Sequence, residues 1–318
     1  MTRALPLDAA NYPRHSLHGE DREWVEKNCY VDVWIETVHA IGCDPMAMLG
    51  FVVAVDFEGD QWTFFKPPHD ELRELYGIDV QELNVWRPLR DHTQLYIEGG
   101  KLISTEADAF YLPDTAGTDY QRQHTKSTIV INEFDLEQRR LGYFHNAGYY
   151  ALEGDDFTHL FRLGYPADPT FMPLFAEAVR VDGVVKRPTE ELRTIARRLL
   201  TKHLARRPTD NPVTRFGSRF AADLAWIQGN GLAFYHAWAF ATIRQLGAAM
   251  ELLALHLRWL GDDASLTAAD RFATISTLNK AFILKAARAV NAKRALDAGP
   301  MFAEMSAAWQ AGIDALVR

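Results

Sequence analysis

Residues 128–152 read TIVINEFDLEQRRLGYFHNAGYYAL, and this stretch decides the fold of the first half of the chain. The run Thr128–Phe134 is rich in β-branched residues, and Arg140–Phe144 follows it across the polar turn Asp135–Arg139. Because Gly148–Leu152 continues the pattern after another short turn, three strands are expected to pair in sequence order. The pattern predicts an antiparallel sheet in the N-terminal half.

Helical and extended patterns alternate in the sequence before this sheet. A helix is predicted from about Trp24 to Ile41, and Cys29 lies in its opening turns. Leu49–Phe57 and Gln61–Phe65 are predicted to form a β-hairpin, because the glycine between them suits such a turn. Helices at His69–Tyr76 and Leu89–Glu98 and a strand at Lys101–Glu106 are also predicted.

After Pro169 almost every segment has helical periodicity. Helices are predicted at about Met172–Arg180, Thr189–Arg206, Arg219–Ile227, Leu232–Leu260, Ala268–Ala295 and Pro300–Val317. Since the pattern changes here, we predict an α+β domain over residues 1–168 and an all-helical domain over residues 169–318. The helical domain is expected to act as a lid, a docking surface or an oligomerisation element.

Composition and charge exclude several classes of function. The 318-residue chain has a formal net charge of -8, which argues against a nucleic-acid partner. The N-terminus has no apolar core of the length that a signal peptide needs, and the apolar stretch Leu232–Leu260 carries too many charges to be a membrane span. With only two cysteines in the chain, we expect a soluble protein in the reducing cytoplasm.

Thiol chemistry is available at Cys29, because a helix N-terminus favours the thiolate form. His124, in the loop before the Thr128–Phe134 strand, is the predicted base, and Asn146 is predicted to orient its imidazole. Three alternatives stay open. Cys29 can be a small buried hydrophobe, and Asn146 can simply be a turn residue in the left-handed region. His145 is a predicted substrate-binding residue and also a rival base.

An acidic and aromatic loop precedes His124 and is a predicted substrate site. Asp108, Tyr111, Asp114 and Tyr120 are expected to bind a substrate ammonium group, unless the loop is merely solvated. Backbone N–H groups at the helix start, or the Asn28 side chain, are expected to stabilise an oxyanion. The 11 histidines show no metal-ligand spacing and no phosphate-binding glycine loop occurs, so neither a metal nor a nucleotide is expected.

The order of the three residues, with Cys on a helix, His before a strand and Asn after the next strand, resembles papain-like folds. These include the peptidases that remove double-glycine leaders. The tract Asp108–Pro113, followed by His124 and Thr128–Phe134, is similar to the papain-like acyltransferase domain of butirosin biosynthesis. Two positions differ from the pattern: Ser127 stands where leader peptidases usually place His, and Glu23 replaces a papain-like Gln.

The whole of residues 28–162 also resembles an uncharacterised bacterial family, on the tract Tyr143–Tyr150. That family is associated with gene clusters that encode stand-alone amino acid:carrier-protein ligases. The two resemblances imply that the N-terminal half is papain-like. They also imply an acyl or aminoacyl transferase, in which Cys29 takes the acyl group from the phosphopantetheine thioester of an acyl or peptidyl carrier protein. An amine or hydroxyl, on a small molecule or a protein, would accept it, and no tightly bound cofactor is expected.

Basic residues in the helical half are the predicted docking surface for an acidic carrier protein. The set comprises Arg197, Arg198, Lys202 and Arg206, and a solvated face paired with nearby glutamates is the alternative. Two other functions stay open. A cysteine peptidase or amidase would use the same three residues, and a non-catalytic scaffold would bind the carrier protein and leave Cys29 with ordinary thiol reactivity.

Overall fold

The computed structural model describes residues 2–25, 28–166, 168 and 174–317. Within these residues the chain forms two compact units. The first comprises Met1–Arg22, Cys29–Pro45 and Pro68–Arg187, and the second comprises Glu23–Asn28, Met46–Pro67 and Pro188–Arg318. The predicted domain boundary lies after residue 168, whereas the first unit runs to Arg187.

The first unit is built on one antiparallel sheet, as the sequence predicts. Its strands are β1 (Thr2–Arg3), β2 (Asp79–Glu82), β3 (Leu102–Asp108), β4 (Lys126–Asp135), β5 (Arg140–His145), β6 (Gly148–Glu153) and β7 (Ala176–Arg180). They pair in the order β2-β7-β3-β4-β5-β6, and β1 pairs with β4. The predicted strands at 101–106, 128–134, 140–144 and 148–152 are therefore confirmed, with bounds that differ by a few residues.

The helices of the first unit are α1 (Cys29–Ala40), α2 (His69–Tyr76), α3 (Leu89–Glu98) and α4 (Asp155–Leu160). The predictions of α2 and α3 are confirmed at the same bounds. The first helix begins at Cys29 rather than near Trp24, so Cys29 occupies the first helical position. The predicted place of Cys29 in the opening turns is thus confirmed.

Strand β4 is buried on both faces, and its pleat assigns neighbouring residues to opposite sides. Ile129 and Ile131 point to one face, where they pack with Ile97 of α3 and Tyr143 of β5. Helix α1 covers the other face, where the sulfur of Cys29 meets Thr128. Because both faces are covered, every residue of β4 from Ser127 to Phe134 is buried, instead of every second one.

A β-bulge interrupts β4 between Ile131 and Glu133. The extra residue, Asn132, is fully buried, and its side chain is satisfied by its neighbours. Its amide oxygen accepts from the backbone N–H of Leu5 at 2.6 Å, and its amide nitrogen donates to the hydroxyl of Tyr149 at 3.0 Å. The bulge therefore ties the N-terminal arm to the sheet.

Strand β7 contradicts the helix predicted at about 172–180. Residues 172 and 173 lie outside the described residues, and Ala176–Arg180 forms a strand between β2 and β3. The local composition Ala-Glu-Ala-Val-Arg favours a helix, but ladder partners on both sides of the strand override this weak preference. Strands β1 and β2 were not predicted, since each is too short to show a period.

The predicted hairpin at 49–57 and 61–65 is also wrong. Pro45–Ala54 is a 3₁₀ helix, which belongs to the second unit from Met46 onward, and a single bridge joins Phe57 to Trp62. Successive residues from Met48 to Val53 are apolar and almost all buried, so this run has no alternating face. A short apolar run of this kind does not distinguish a strand from a buried helical segment.

From Pro188 onward the second unit is mainly helical, in agreement with the sequence. Its helices are α5 (Thr189–Leu204), α6 (Pro212–Ala241), α7 (Ile243–Leu260), α8 (Asp263–Ala292) and α9 (Gly299–Val317). The predicted single helix over 232–260 is wrong, because Thr242 separates α6 from α7. Gly231 interrupts α6 with a φ of 84°, a conformation that glycine adopts at little cost.

Two glycines that follow helices provide a matched test of packing in the first unit. Gly77 and Gly100 have φ values of +74° and +72°, but a Cβ at Gly77 would lie 2.0 Å from the carbonyl oxygen of Gly183, whereas a Cβ at Gly100 would meet nothing within 4 Å. Gly100→Ala should cost about 1 to 2 kcal/mol of unfolding free energy from backbone strain. Gly77→Ala should cost at least about 1 to 3 kcal/mol more because of the clash. Urea titration of both variants measures this difference, and equal losses would contradict it.

Candidate active site

His145 is placed by the hairpin that joins β5 to β6. It is the last residue of β5, and it pairs with Gly148 across the two-residue turn Asn146–Ala147. Asn146 has a φ of 44°, the left-handed conformation that tight hairpin turns require and that asparagine tolerates. His145 is fully buried and lies opposite Ile129 of β4, so its imidazole shares the face of Ile129.

Asp114 reaches the same imidazole from the loop after β3. The 3₁₀ turn Pro113–Thr115 carries it, and the Thr115 hydroxyl lies 3.0 Å from the carbonyl oxygen of Ala109, which fixes the turn. One carboxylate oxygen of Asp114 lies 2.6 Å from His145 Nδ1, and the other accepts from the Tyr143 hydroxyl at 2.5 Å. The carboxylate is therefore held by two partners.

Ser127, the second residue of β4, completes the arrangement. Its Oγ lies 2.6 Å from His145 Nε2. Residues 121–126 are exposed, and Ser127, with 8% of its surface exposed, is the first buried residue after them. A continuous hydrogen-bonded chain thus runs from Ser127 through His145 to Asp114, and we refer to these residues as the Ser-His-Asp array.

The partners of His145 determine which of its ring nitrogens carries the hydrogen and which accepts a hydrogen bond. Asp114 offers only acceptors when ionised, so Nδ1 carries the hydrogen and donates a hydrogen bond to the carboxylate. In the neutral ring Nε2 is then an acceptor, and it lies 2.6 Å from the Ser127 hydroxyl. Burial and the negative charge of Asp114 raise the pKa of Tyr143 well above its ordinary value, so this phenol stays a donor. The array therefore has the polarity that general-base activation of a hydroxyl requires.

Cys29 lies on the opposite side of the sheet. Its Sγ is 4.0 Å from the Thr128 hydroxyl, and Thr128 points away from the face that carries Ser127. His145 shares the face of Ser127, so the structure does not bring this rival base to Cys29.

The other two predicted catalytic residues have different surroundings. His124 is 66% exposed, lies with Nδ1 2.6 Å from an Asp108 oxygen, and stacks on Phe110 at 4.4 Å between ring centroids. Asn146 occupies the hairpin turn described above. Among the hydrogen bonds and ring contacts of the residues that the structure describes, none joins Cys29 to His124 or to Asn146.

Several predicted substrate-binding residues have partners within the fold. Asp108 caps the 3₁₀ turn Ala109–Tyr111 through the N–H of Phe110, and Tyr111 stacks on His159 at 5.3 Å. Tyr120 donates to Asp156 at 2.8 Å. These contacts order the loop that delivers Asp114 to His145.

Asn28 and the basic residues belong to the second unit. The buried amide of Asn28 donates to the carbonyl oxygen of Phe65 at 3.0 Å. Arg197 donates to the carbonyl oxygen of Leu260 at 2.8 Å, so it closes the end of α7. The remaining predicted docking residues, Arg198, Lys202 and Arg206, are exposed on or just after α5.

The sequence did not reveal the role of Ser127, and it indicated substrate binding for Asp114 and either substrate binding or the role of rival base for His145. One signal was present, since Ser127, Ile129 and Ile131 alternate along β4 and therefore share a face. The pairing of Ile129 with His145 was not readable, because it depends on the register of two strands.

A scan against protein families finds two matches that together span nearly all of the chain. Residues 13–181 match the DUF1839 N-terminal domain, and residues 189–318 match the DUF1839 C-terminal domain. The chain belongs to the DUF1839 family. No curated protein matches it.

In this DUF1839 chain the described residues contain no cluster of His, Cys, Asp or Glu that could hold a metal ion. Across the same described part of the chain, no helix is both long and apolar enough to span a membrane.

The DUF1839 N-terminal domain also holds a buried ion cluster on α1, on the face that carries Cys29. His18 lies with Nδ1 2.5 Å from Glu36 and with Nε2 3.2 Å from Asp32. Burial lowers the pKa of His18, but hydrogen bonds to the two carboxylates and their negative charges outweigh it and raise that pKa to about 9. His18 is therefore a cation at neutral pH, and the same contacts lower the pKa of Glu36 against its burial.

This cluster predicts a pH dependence of stability. A pKa raised from 6.5 to about 9 in the folded state gives stability that is fully present below pH 6.5 and is lost as the pH rises through 9. The loss should reach about 3 kcal/mol, since each pKa unit corresponds to about 1.4 kcal/mol. Burial lowers the pKa of the nearby His15 to about 4, so its titration falls below this window.

Urea titrations of the wild type and of His18→Gln at pH 6.5 and pH 9 measure this effect. The variant should be less stable at pH 6.5 and should lose most of the pH slope. His159→Gln, an exposed imidazole in the same unit, is the control and should keep the slope. An equal slope in His18→Gln and the wild type would contradict the assignment.

Proposed function

We propose that the first unit catalyses acyl transfer from an ester or thioester, with Ser127 as nucleophile, His145 as base and Asp114 as the residue that orients it. The observation that supports this is the continuous chain with both heavy-atom distances at 2.6 Å. Nucleophile–base and base–orienter contacts of this length are the geometric signature of activated serine, whatever the order of the residues in the chain.

The chemistry follows from the hydrogen-bond polarity. Ser127 Oγ attacks the carbonyl carbon, and its proton passes to His145 Nε2. The resulting imidazolium is stabilised by Asp114, and Nε2–H then protonates the departing alcohol or thiol. An incoming water, hydroxyl or amine gives a proton to Nε2 and attacks the acyl carbon. The acyl bond to Ser127 then breaks, and Nε2–H returns this proton to the Ser127 oxygen, which restores the hydroxyl and the neutral imidazole.

The burial of the array supports this role. His145 is fully buried and the Asp114 side chain is only 3% exposed, so their hydrogen bonds act in a medium of low polarity and are worth more than in water. Tyr143 fixes the second oxygen of Asp114, which leaves the carboxylate one orientation. Preorganised polar groups of this kind need no rearrangement during the reaction.

Thiol-based acyl transfer on a papain-like fold is the second candidate, with peptidase or amidase activity as its variant. It is favoured by the position of Cys29 as the first residue of α1, against an antiparallel sheet. A thiol enzyme needs a base within hydrogen-bond reach of the sulfur. The side-chain group that the sulfur of Cys29 contacts is the hydroxyl of Thr128, which is not such a base. Ser127 lies 2.6 Å from an imidazole nitrogen, so we prefer it to Cys29 as the nucleophile.

Single substitutions on the two faces of β4 distinguish the candidates. We predict that Ser127→Ala lowers the hydrolysis of nitrophenyl esters and acyl thioesters by roughly 10⁴-fold or more, because the acyl acceptor is lost. Asp114→Asn should lower it by about 10³ to 10⁴-fold through the wrong imidazole tautomer. Cys29→Ala and Thr128→Ala should leave the rate nearly unchanged.

Covalent labelling gives an independent readout. A fluorophosphonate should add to Ser127 in the wild type, as shown by intact mass and peptide mapping, and should fail to add to Ser127→Ala. If Cys29→Ala abolishes turnover while Ser127→Ala is silent, the thiol candidate replaces the proposal. If neither variant changes turnover or labelling, acyl transfer by this unit is excluded.

An acidic carrier protein with a phosphopantetheine arm remains the proposed acyl donor, and the exposed basic residues of α5 support it. Reversing charge with Arg198→Glu and Lys202→Glu should raise the KM for a carrier-bound thioester by about tenfold at low salt. The KM for a small thioester of the same acyl group should not change, which controls for misfolding. Equal effects on both substrates would contradict carrier docking.

A further inference from the structure

A cavity of about 370 Å³ lies in the first unit, between the segment that leads into α3 and the end of α4. Its walls are mostly apolar, with Leu89, Leu160, Phe161 and Leu174 among them. A volume of this size lies in the range of pockets that bind small organic molecules.

The polar side chains of this cavity all carry one sign of charge. Arg87, Arg90 and Arg162 line it, and no acidic residue is among the described residues that do so. In a chain of net charge -8, three arginines around one pocket are a local reversal of the overall sign. Arg162 lies 3.7 Å from Asp168, and Arg90 Nε lies 3.6 Å from an Asp91 carboxylate oxygen, so Arg87 is the main candidate for contact with an anion and Arg90 is a second one.

Arg87 is the most informative of the three. Its guanidinium lies over the ring of Trp86 at 5.2 Å, and one terminal nitrogen is 3.5 Å from the carbonyl oxygen of Asp91. Its Nε is buried and has no hydrogen-bond partner among the residues that the structure describes. Because Nε has almost no accessible surface, an anion in the cavity would contact the terminal nitrogens of the guanidinium instead.

Two further features favour an anion here. Pro88, Leu89 and Arg90 form the start of α3, where no side chain caps the helix and Asp91 is the acidic residue of the first turn. A helix N-terminus attracts negative charge. Burial and the positive charge of Arg87 also lower the pKa of His92, one turn into α3.

The cavity also offers a surface for a flat apolar body. Trp86 is 77% exposed, the largest exposure among the large apolar side chains of the described residues, and Phe161 lines the same cavity. Arg87 stacked on Trp86 forms a combined aromatic and cationic wall.

We propose that this cavity binds a small organic acid, with its carboxylate or phosphate at Arg87 and Arg90 and its aromatic or aliphatic body against Phe161 and Trp86. The proposal does not depend on the Ser-His-Asp array. A planar carboxylate or a phosphate matches the fork of an arginine, so both anions are compatible with the site.

Binding of three matched probes to the full-length protein tests the proposal. The probes are 2-naphthoate, 2-naphthyl phosphate and the neutral isostere 2-naphthamide, measured by calorimetry at low salt. At least one anion should bind tenfold or more tightly than the amide, and the tighter of the two identifies the anion class. Equal affinity for the amide and both anions would overturn the proposal without any variant being needed.

Substitutions then locate the site. Arg87→Gln should weaken the anion by at least about tenfold and leave the amide unchanged, and Arg87→Lys should restore only part of the affinity, because it keeps the charge and loses the fork. Arg180→Gln removes an exposed arginine of the same unit, paired with Asp79, and should have no effect. If Arg87→Gln and Arg90→Gln both bind the anion like the wild type, the cavity is not its site.

The imidazole of His92 supplies a spectroscopic readout. A bound anion offsets the charge of Arg87, so the pKa of His92 should rise when the anion is added and should not rise with the amide. A pKa of His92 that is the same with and without the bound anion would place the anion elsewhere and overturn the assignment to this cavity.

Discussion

The pleat of β4 is the constraint on which the first unit depends. A strand buried on both faces sends each neighbouring pair of side chains in opposite directions, so Ser127 and Thr128 enter two different environments although one peptide bond joins them. On one side Ser127 meets His145, and on the other Thr128 meets the start of α1. The two candidate nucleophiles are therefore separated by the thickness of a sheet and cannot share one base.

Burial of the Ser-His-Asp array is costly unless each polar atom has a partner. Asp114 uses both oxygens, for His145 and for Tyr143, and His145 uses both ring nitrogens. Ser127 alone stands near the surface, next to the exposed residues 121–126. The deep part of the array is thus fixed by mutual hydrogen bonding, while the hydroxyl at its outer end is the group placed to meet a substrate.

Much of this architecture can be predicted from the sequence, because it depends on local pattern. The β-branched run at 128–134, the helices at 69–76 and 89–98, and the use of Asn146 as a left-handed turn residue follow from periodicity and turn chemistry. What fails depends on distant partners. Ala176–Arg180 becomes a strand because two other strands flank it, and Ser127 meets His145 because of a register that no local signal sets.

The bulge at Asn132 has a consequence for how such a chain can change length during evolution. The bulge accommodates one extra residue between Ile131 and Glu133, so the register of β4 with β5 shifts by one residue at this point. Insertions and deletions beyond the bulge, toward the turn at 135–139, leave the outward face of every earlier residue as it was. A single-residue deletion between Ser127 and Ile131 would instead exchange the two faces, and carry Ser127 to the side of Cys29.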